Sequence, residues 1–221
     1  MQTLHGRSAL LGSRGQQTFG RLSMKAVIKS PIFNVSIIFI CALYVSISGV
    51  RNPYYNWDII GYSAAAFKSD GFHGEPLQEA VFSHDLKEQA GTKKFNSLIG
   101  SQPPDHYRHT VYADPASLEE QIPLYSIREL YIWAMKLVHL WGPSYFSATY
   151  MVSAFFAGLS VVALSLIISH QRLPQLFLPV VVYFSGLVGI ARFSTPDSLA
   201  CFISLLLIIS LLRKSYYSLF L

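Results

Sequence analysis

The chain has 221 residues, 52% of them hydrophobic and only 13% charged, with a formal net charge of +5. That is too apolar for an ordinary soluble domain. The uncharged apolar runs at 32–50, 145–168, 173–191 and 199–212 predict an all-α, multi-pass membrane protein, since helices close their own backbone bonds in lipid. The alternating pattern of a transmembrane barrel is missing.

Residues 1–31 carry Arg7, Arg14, Arg21, Lys25 and Lys29 and no acid. They are rich in Gly, Ser and Gln and read as a cytoplasmic tail. The segment 51–125 holds ten acids against six bases. A basic flank before the first span and an acidic loop after it put the N-terminus in the cytoplasm, in an inner or plasma membrane. The positive charge is therefore a matter of topology. A nucleic-acid partner is not expected, because no basic face interleaved with aromatics occurs. The run 32–50 exceeds the apolar core of a signal peptide and reads as an uncleaved anchor. At about 1.5 Å per residue it covers a hydrocarbon core of roughly 30 Å. Cys41 and Cys201 both lie in apolar runs and read as small buried side chains.

Just past this span comes Asn56-Trp57-Asp58-Ile59-Ile60-Gly61-Tyr62. Asp58 admits two readings. It can cap the helix that Ile59 begins, or it can serve as a carboxylate base displayed at the membrane exit. A helix over 58–67 is predicted, its Ser63-Ala64-Ala65-Ala66 stretch suited to close packing. Glycines and prolines then punctuate an outer segment, 51–144, too long for a mere connector. Within it, His84-Asp85 and His106/His109 are the candidate metal ligands. Pro103-Pro104 argues that the latter pair sits on a loop, and a third ligand is lacking, so no metal residues are assigned.

Residues 127–141 form an amphipathic helix, with Trp133 and Trp141 on its apolar side and Arg128, Glu129 and Lys136 as its charges. It either lies on the outer interface or crosses as a poor span. Charge favours the first. His170-Gln171-Arg172 and Arg213-Lys214 then fall in the cytoplasm, and 192–198 falls outside. In the run 145–168, Ala154-xxx-Gly158 and Ser153-xxx-Ala157 give a small-residue stripe for helix contact. In Thr195-Pro196-Asp197, Thr195 suits an N-cap, Pro196 the first turn and Asp197 the positive end of the helix dipole. The same topology returns Asp197 to the face of Asp58, with Arg192 as a phosphate partner. The tail 213–221 reads as the start of another apolar segment cut short.

Taken in order, these motifs resemble the N-terminal part of the GT-C-fold membrane glycosyltransferases that use polyprenyl-phosphate sugars, a group including protein O-mannosyltransferases and aminoarabinose transferases. The likeness rests on Asp58 and Tyr62 after the first span, Gln121-Ile122-Pro123-Leu124-Tyr125 closing the outer loop, the amphipathic helix ending at Gly142, and Thr195-Pro196-Asp197-Ser198-Leu199-Ala200 opening a later helix. It covers residues 32–212. It implies Asp58 and Asp197 as catalytic carboxylates and Tyr62, Arg128 and Arg192 as substrate-binding residues. The implied partners are a lipid-linked sugar donor and the membrane. Cofactor use is left open, a divalent metal being compatible. The lysine that many members carry before the proline element is replaced here by Gln121 and Ile122. Members also have many more spans, so the resemblance implies an incomplete enzyme or one needing a second chain for the missing spans. The alternative is a non-catalytic membrane subunit or scaffold that binds a partner through its outer loop. A transporter fits less well, because the spans bury no ionisable group.

Overall fold

Pro31 opens the first helix, α1 (Pro31–Arg51), where its missing N–H has no intrahelical partner to lose. The helix stops at Asn52 because Pro53 follows, and a residue before proline is driven out of the helical region. Asn52 accordingly sits at φ −132°, ψ 57°. The computed structural model describes residues 30–213. Of the expected tail at 1–31 and the expected end at 213–221, residues 1–29 and 214–221 lie outside the described residues.

The outer segment, expected as a punctuated loop between helices at 58–67 and 127–141, is helical almost throughout. It comprises α2 (Asp58–Ser69), α3 (Gly74–Val81), α4 (His84–Ala90), α5 (Thr92–Leu98), α6 (His106–Ala113), α7 (Pro115–Ser126) and α8 (Glu129–His139). Its glycines and acids mark helix ends. Asp105 accepts from the Arg108 N–H at 3.1 Å, and Asp114 accepts from the Ser117 N–H at 3.0 Å. Both are N-caps. Gly91, at φ +74°, turns the chain between α4 and α5. His106 and His109 therefore stand on a helix, which corrects the loop expectation. Asp105 starts that helix directly after Pro103-Pro104.

The predicted helix over 127–141 is shorter. Arg128 leaves the helical region at φ −98°, ψ 53°, so α8 begins at Glu129 and ends at His139. Its 11 residues span roughly 16 Å, about half a hydrocarbon core. One face, Tyr131, Ile132 and Met135, is buried, while Leu130, Trp133, Leu137 and Leu140 are exposed on the other.

The remaining elements are α9 (Tyr145–His170), a 3₁₀ turn (Gln175–Phe177), α10 (Leu178–Phe184), α11 (Leu187–Ala191) and α12 (Asp197–Leu212). The single helix expected over 173–191 is broken. Pro174 and Pro179 can only sit at helix starts, and Gly186 adopts a left-handed φ of +74° after Ser185. Even so, the broken segment runs the length of the bundle. At one end the Gln175 amide donates to the Ser165 carbonyl at 2.9 Å and the Ser169 hydroxyl at 2.6 Å. At the other, Ala191 abuts Gly49 of α1.

Two helices, α1 and α9, are long and apolar enough to cross a membrane. They pack antiparallel through the predicted small-residue stripe. Gly49 faces Ala154, Gly158 faces Ser46, and the Ser46 hydroxyl donates to the Ala154 carbonyl at 3.1 Å. α12 runs beside α9 in the same direction. The Ser153 hydroxyl donates to the Thr195 carbonyl at 2.7 Å, and Phe156 meets Phe202 further along. The end of α1, the first half of α9 and the start of α12 thus converge at one end of the bundle. There a core built on Ile59, Tyr62, Tyr131, Met135 and Phe146 seats the outer helices. A second core around Val45, Val161, Leu178 and Leu187 holds the long helices together.

Candidate functional site

The turn between α1 and α2 is pinned to the start of α12. The Tyr54 N–H donates to the Arg192 carbonyl at 2.7 Å. In return, Arg192 Nε donates to the Asn52 carbonyl at 2.7 Å, and its guanidinium lies 4.0 Å from the centre of the Tyr54 ring. Arg192, expected as a phosphate partner, is thus held by this turn.

Asp58 follows as the first residue of α2, and its carboxylate is not spent on the helix. Trp57 occupies the N-cap position, and no side chain caps α2. The Ile59 and Ile60 N–H groups instead turn back to the carbonyls of Asn56 and Trp57, at 3.2 and 3.0 Å. Asp58 Oδ2 accepts from the Asn56 amide at 2.7 Å, and Oδ1 accepts a longer bond from the Tyr125 hydroxyl, 3.4 Å. The capping reading loses its basis, and a half-buried carboxylate is left facing other groups.

Burial is the main influence on that carboxyl and pushes its pKa up. The Tyr125 hydrogen bond opposes this, Asp197 raises the pKa further, and Arg128 lowers it. Asp197 is therefore close enough to act on Asp58 electrically. It is exposed at the first turn of α12, which suits the helix dipole. Thr195, expected as the N-cap, donates its hydroxyl to Asp197 Oδ2 at 2.8 Å, and Pro196 takes the cap position. Arg128 is exposed and donates to the Leu124 carbonyl at 2.8 Å, closing the end of α7 while its charge acts on Asp58 and Tyr62. Tyr62 lies beneath the site at 3% exposure, edge-on to Tyr125 and Tyr131 with ring centroids 4.9 Å apart in each case. It forms the floor and offers no open contact surface.

Three contributors escaped the sequence reading: Tyr125, Asn56 and Gly61. Tyr125 closes the Gln121–Tyr125 element, and Asn56 precedes Asp58 by two residues, but nothing in their spacing shows that both turn toward it. Asn56 Oδ1 and Ser198 Oγ are buried with no partner among the described residues. Such groups are the kind that a polar ligand or an ordered water satisfies.

A second polar group fixes α8 alongside α2. Lys136 reaches Asp70 at 2.7 Å, and the Tyr145 hydroxyl donates to the same carboxylate. Burial raises the pKa of Asp70, but these two hydrogen bonds and the Lys136 charge outweigh it and hold the carboxyl low. The arrangement sets Arg128 over one end of α2 and Lys136 over the other. A groove of about 310 Å³ runs between the start of α8 and α12, past Leu130, Leu199 and Ile203, with Arg128 along it.

Among the described residues, the cluster able to hold a cation is His84, Asp85 and Glu88, exposed on α4 and apart from Asp58. Asp58 and Asp197 gain no third ligand among the described residues. What the arrangement offers is a carboxylate with one firmly held oxygen and one loosely held, a second carboxylate nearby, and a cation at the head of an apolar groove. Comparison with family models, curated proteins and solved structures finds no match.

Proposed function

We propose that the protein is a multi-pass membrane glycosyltransferase of the GT-C type, moving a sugar from a polyprenyl-phosphate carrier to an acceptor at the outer face. The observation that carries this reading is Asp58: half-buried, free of capping duty, its pKa raised, with a second carboxylate and an arginine in its field. Such a group suits general base catalysis, where a pKa nearer the working pH favours proton transfer. The acceptor hydroxyl or amine gives its proton to Asp58 Oδ1 as its lone pair attacks the anomeric carbon. The bond from that carbon to the phosphate oxygen breaks, and its electron pair stays on the leaving phosphate. Arg128 neutralises the charge that develops there, and Asp58 then returns its proton to water. The groove between α8 and α12 suits the carrier's apolar chain, and Asp197 suits orientation of the acceptor.

Four segments traversing one bundle support the multi-pass reading, with the cluster at 192–198 on the side of the outer helices. The exposed face of α8 suits the lipid interface, with Glu129 and Lys136 kept out of hydrocarbon, where a central lysine costs roughly 2.5–3.5 kcal/mol. Cysteine labelling in a variant lacking Cys41 and Cys201 checks the topology. A cysteine at Glu120 should label from outside only and one at Gln171 from the cytoplasm only; the reverse pattern overturns the orientation.

Donor turnover tests the function. The full chain in proteoliposomes, given a polyprenyl-phosphate sugar and a mixed pool of hydroxyl and amine acceptors, should release free polyprenyl phosphate. Neither release nor binding of the donor would leave the scaffold reading as the better account.

A further inference from the structure

α2 carries a glycine, Gly61, one turn into its otherwise well-formed helix. A Cβ built on Gly61 would lie 2.2 Å from Cε2 and Cζ of the Tyr125 ring, well inside van der Waals contact. Gly61 is therefore the seat on which that ring lies. Tyr62 braces it edge-on, and the hydroxyl is directed to Asp58 Oδ1 at 3.4 Å. Since α7 supplies Tyr125 and α2 supplies both Gly61 and Asp58, the seat ties two helices through one ring.

We propose that Tyr125 is a positioning residue for Asp58, held on Gly61 so that its hydroxyl orients the carboxylate. Asn56 fixes Oδ2 with the short bond, and Tyr125 steers Oδ1, the oxygen left to receive a proton. Burial of Tyr125 pushes its own pKa up to about 12. The phenol therefore stays neutral across the working range, a donor of a hydrogen bond and not a competing base. Its bond favours the charged form of Asp58 against burial and against Asp197, both of which favour the neutral form. This inference takes from the proposed function only that Asp58 works as a base.

The test is a titration of the full-length protein with ¹³C-labelled aspartate, read by NMR. Asp58 is assigned among the six aspartates by its absence from Asp58→Asn. Tyr125→Phe should move the Asp58 titration to higher pH. Gly61→Ala, which keeps the hydroxyl but pushes the ring away, should move it the same way. Leu124→Ala, an exposed neighbour on α7, should leave it in place. In the turnover assay the acid limb of the pH profile should rise with the titration, and the plateau should fall roughly two- to tenfold, the equivalent of one hydrogen bond. Where Tyr125→Phe shows no melting transition, Gly61→Ala is read in its place. An unchanged Asp58 titration in the folded variant overturns the proposal, as does an equal shift in Leu124→Ala. A titration that moves as expected in a protein that turns over no donor upholds the tuning and counts against the glycosyltransferase reading alone.

Discussion

Asp58→Asn is expected to lower sugar transfer by about 10²–10⁴-fold, the usual contribution of a general base, while leaving the fold at least as stable at neutral pH. The stability half follows from the raised pKa. Between the ordinary carboxylate value and the raised one, the folded protein binds more protons than the unfolded chain. Stability is therefore fullest below the ordinary value and is lost as pH rises through the raised one. Asparagine keeps the size and a polar tip but carries no charge, so it escapes that loss. The melting temperature of Asp58→Asn should equal or exceed that of the wild type at neutral pH, and the advantage should vanish in acid. A cap would behave in the opposite way, its removal costing about 1 kcal/mol with little effect on rate. Wild-type transfer together with a lowered melting temperature would restore the capping reading.

The second large effect is expected at Gly49, where α1 meets α9 and α11. A Cβ there would stand 2.4 Å from the Ala191 carbonyl oxygen and 2.7 Å from the Ala154 Cβ. Neither neighbour is the free end of a long side chain, so helices must move apart. Gly49→Leu should destabilise the protein by about 1–3 kcal/mol or more, as overpacking of close contacts does. At this chain length that is about 2–4 °C of melting temperature for each kcal/mol. The same movement draws α11 from α1 and loosens Arg192 from Asn52, so transfer should fall as well. Val50→Leu, at an exposed position next along the helix, is the control. An unchanged melting temperature for Gly49→Leu would show that α1 and α11 are not in contact at this point.

The sequence carried the helical class and the order of the apolar segments, because uncharged runs of that length have few other uses. The Ala154/Gly158 stripe was legible for the same kind of reason: small residues at four-residue spacing exist to let backbones approach. The outer helices were not legible. Their glycines and prolines carry loop signals, yet Asp105, Asp114 and Gly91 act as caps and a turn between short helices. Composition does not separate those two uses. The break at Ser185-Gly186 was hidden for a related reason, since hydropathy is blind to one left-handed residue inside an apolar run.

At the site, Asp58 stood out by its position, and Asp197 could be paired with it by following the topology. The fate of each carboxylate could not be read, because a helix-start acid is equally suited to capping and to chemistry. Only the Asn56 and Tyr125 contacts separate the two. Tyr125 lies 67 residues from Asp58 in the chain, and no local pattern carries so distant a pairing. The charge of Arg192 near Asp197 is visible in the sequence, but the pull of the Asn52 carbonyl and the Tyr54 ring depends on a turn that the sequence does not display.

The titration of Asp58 in the wild-type protein separates a base from a helix cap. A carboxylate capping a helix start is stabilised in its charged form by N–H groups and by the dipole, and it titrates below the ordinary value of about 3.9. A half-buried Asp58 without capping contacts does the reverse: in the full-length protein, the ¹³C signal absent from Asp58→Asn should titrate above that value. A midpoint below it would mark Asp58 as a cap and not a base.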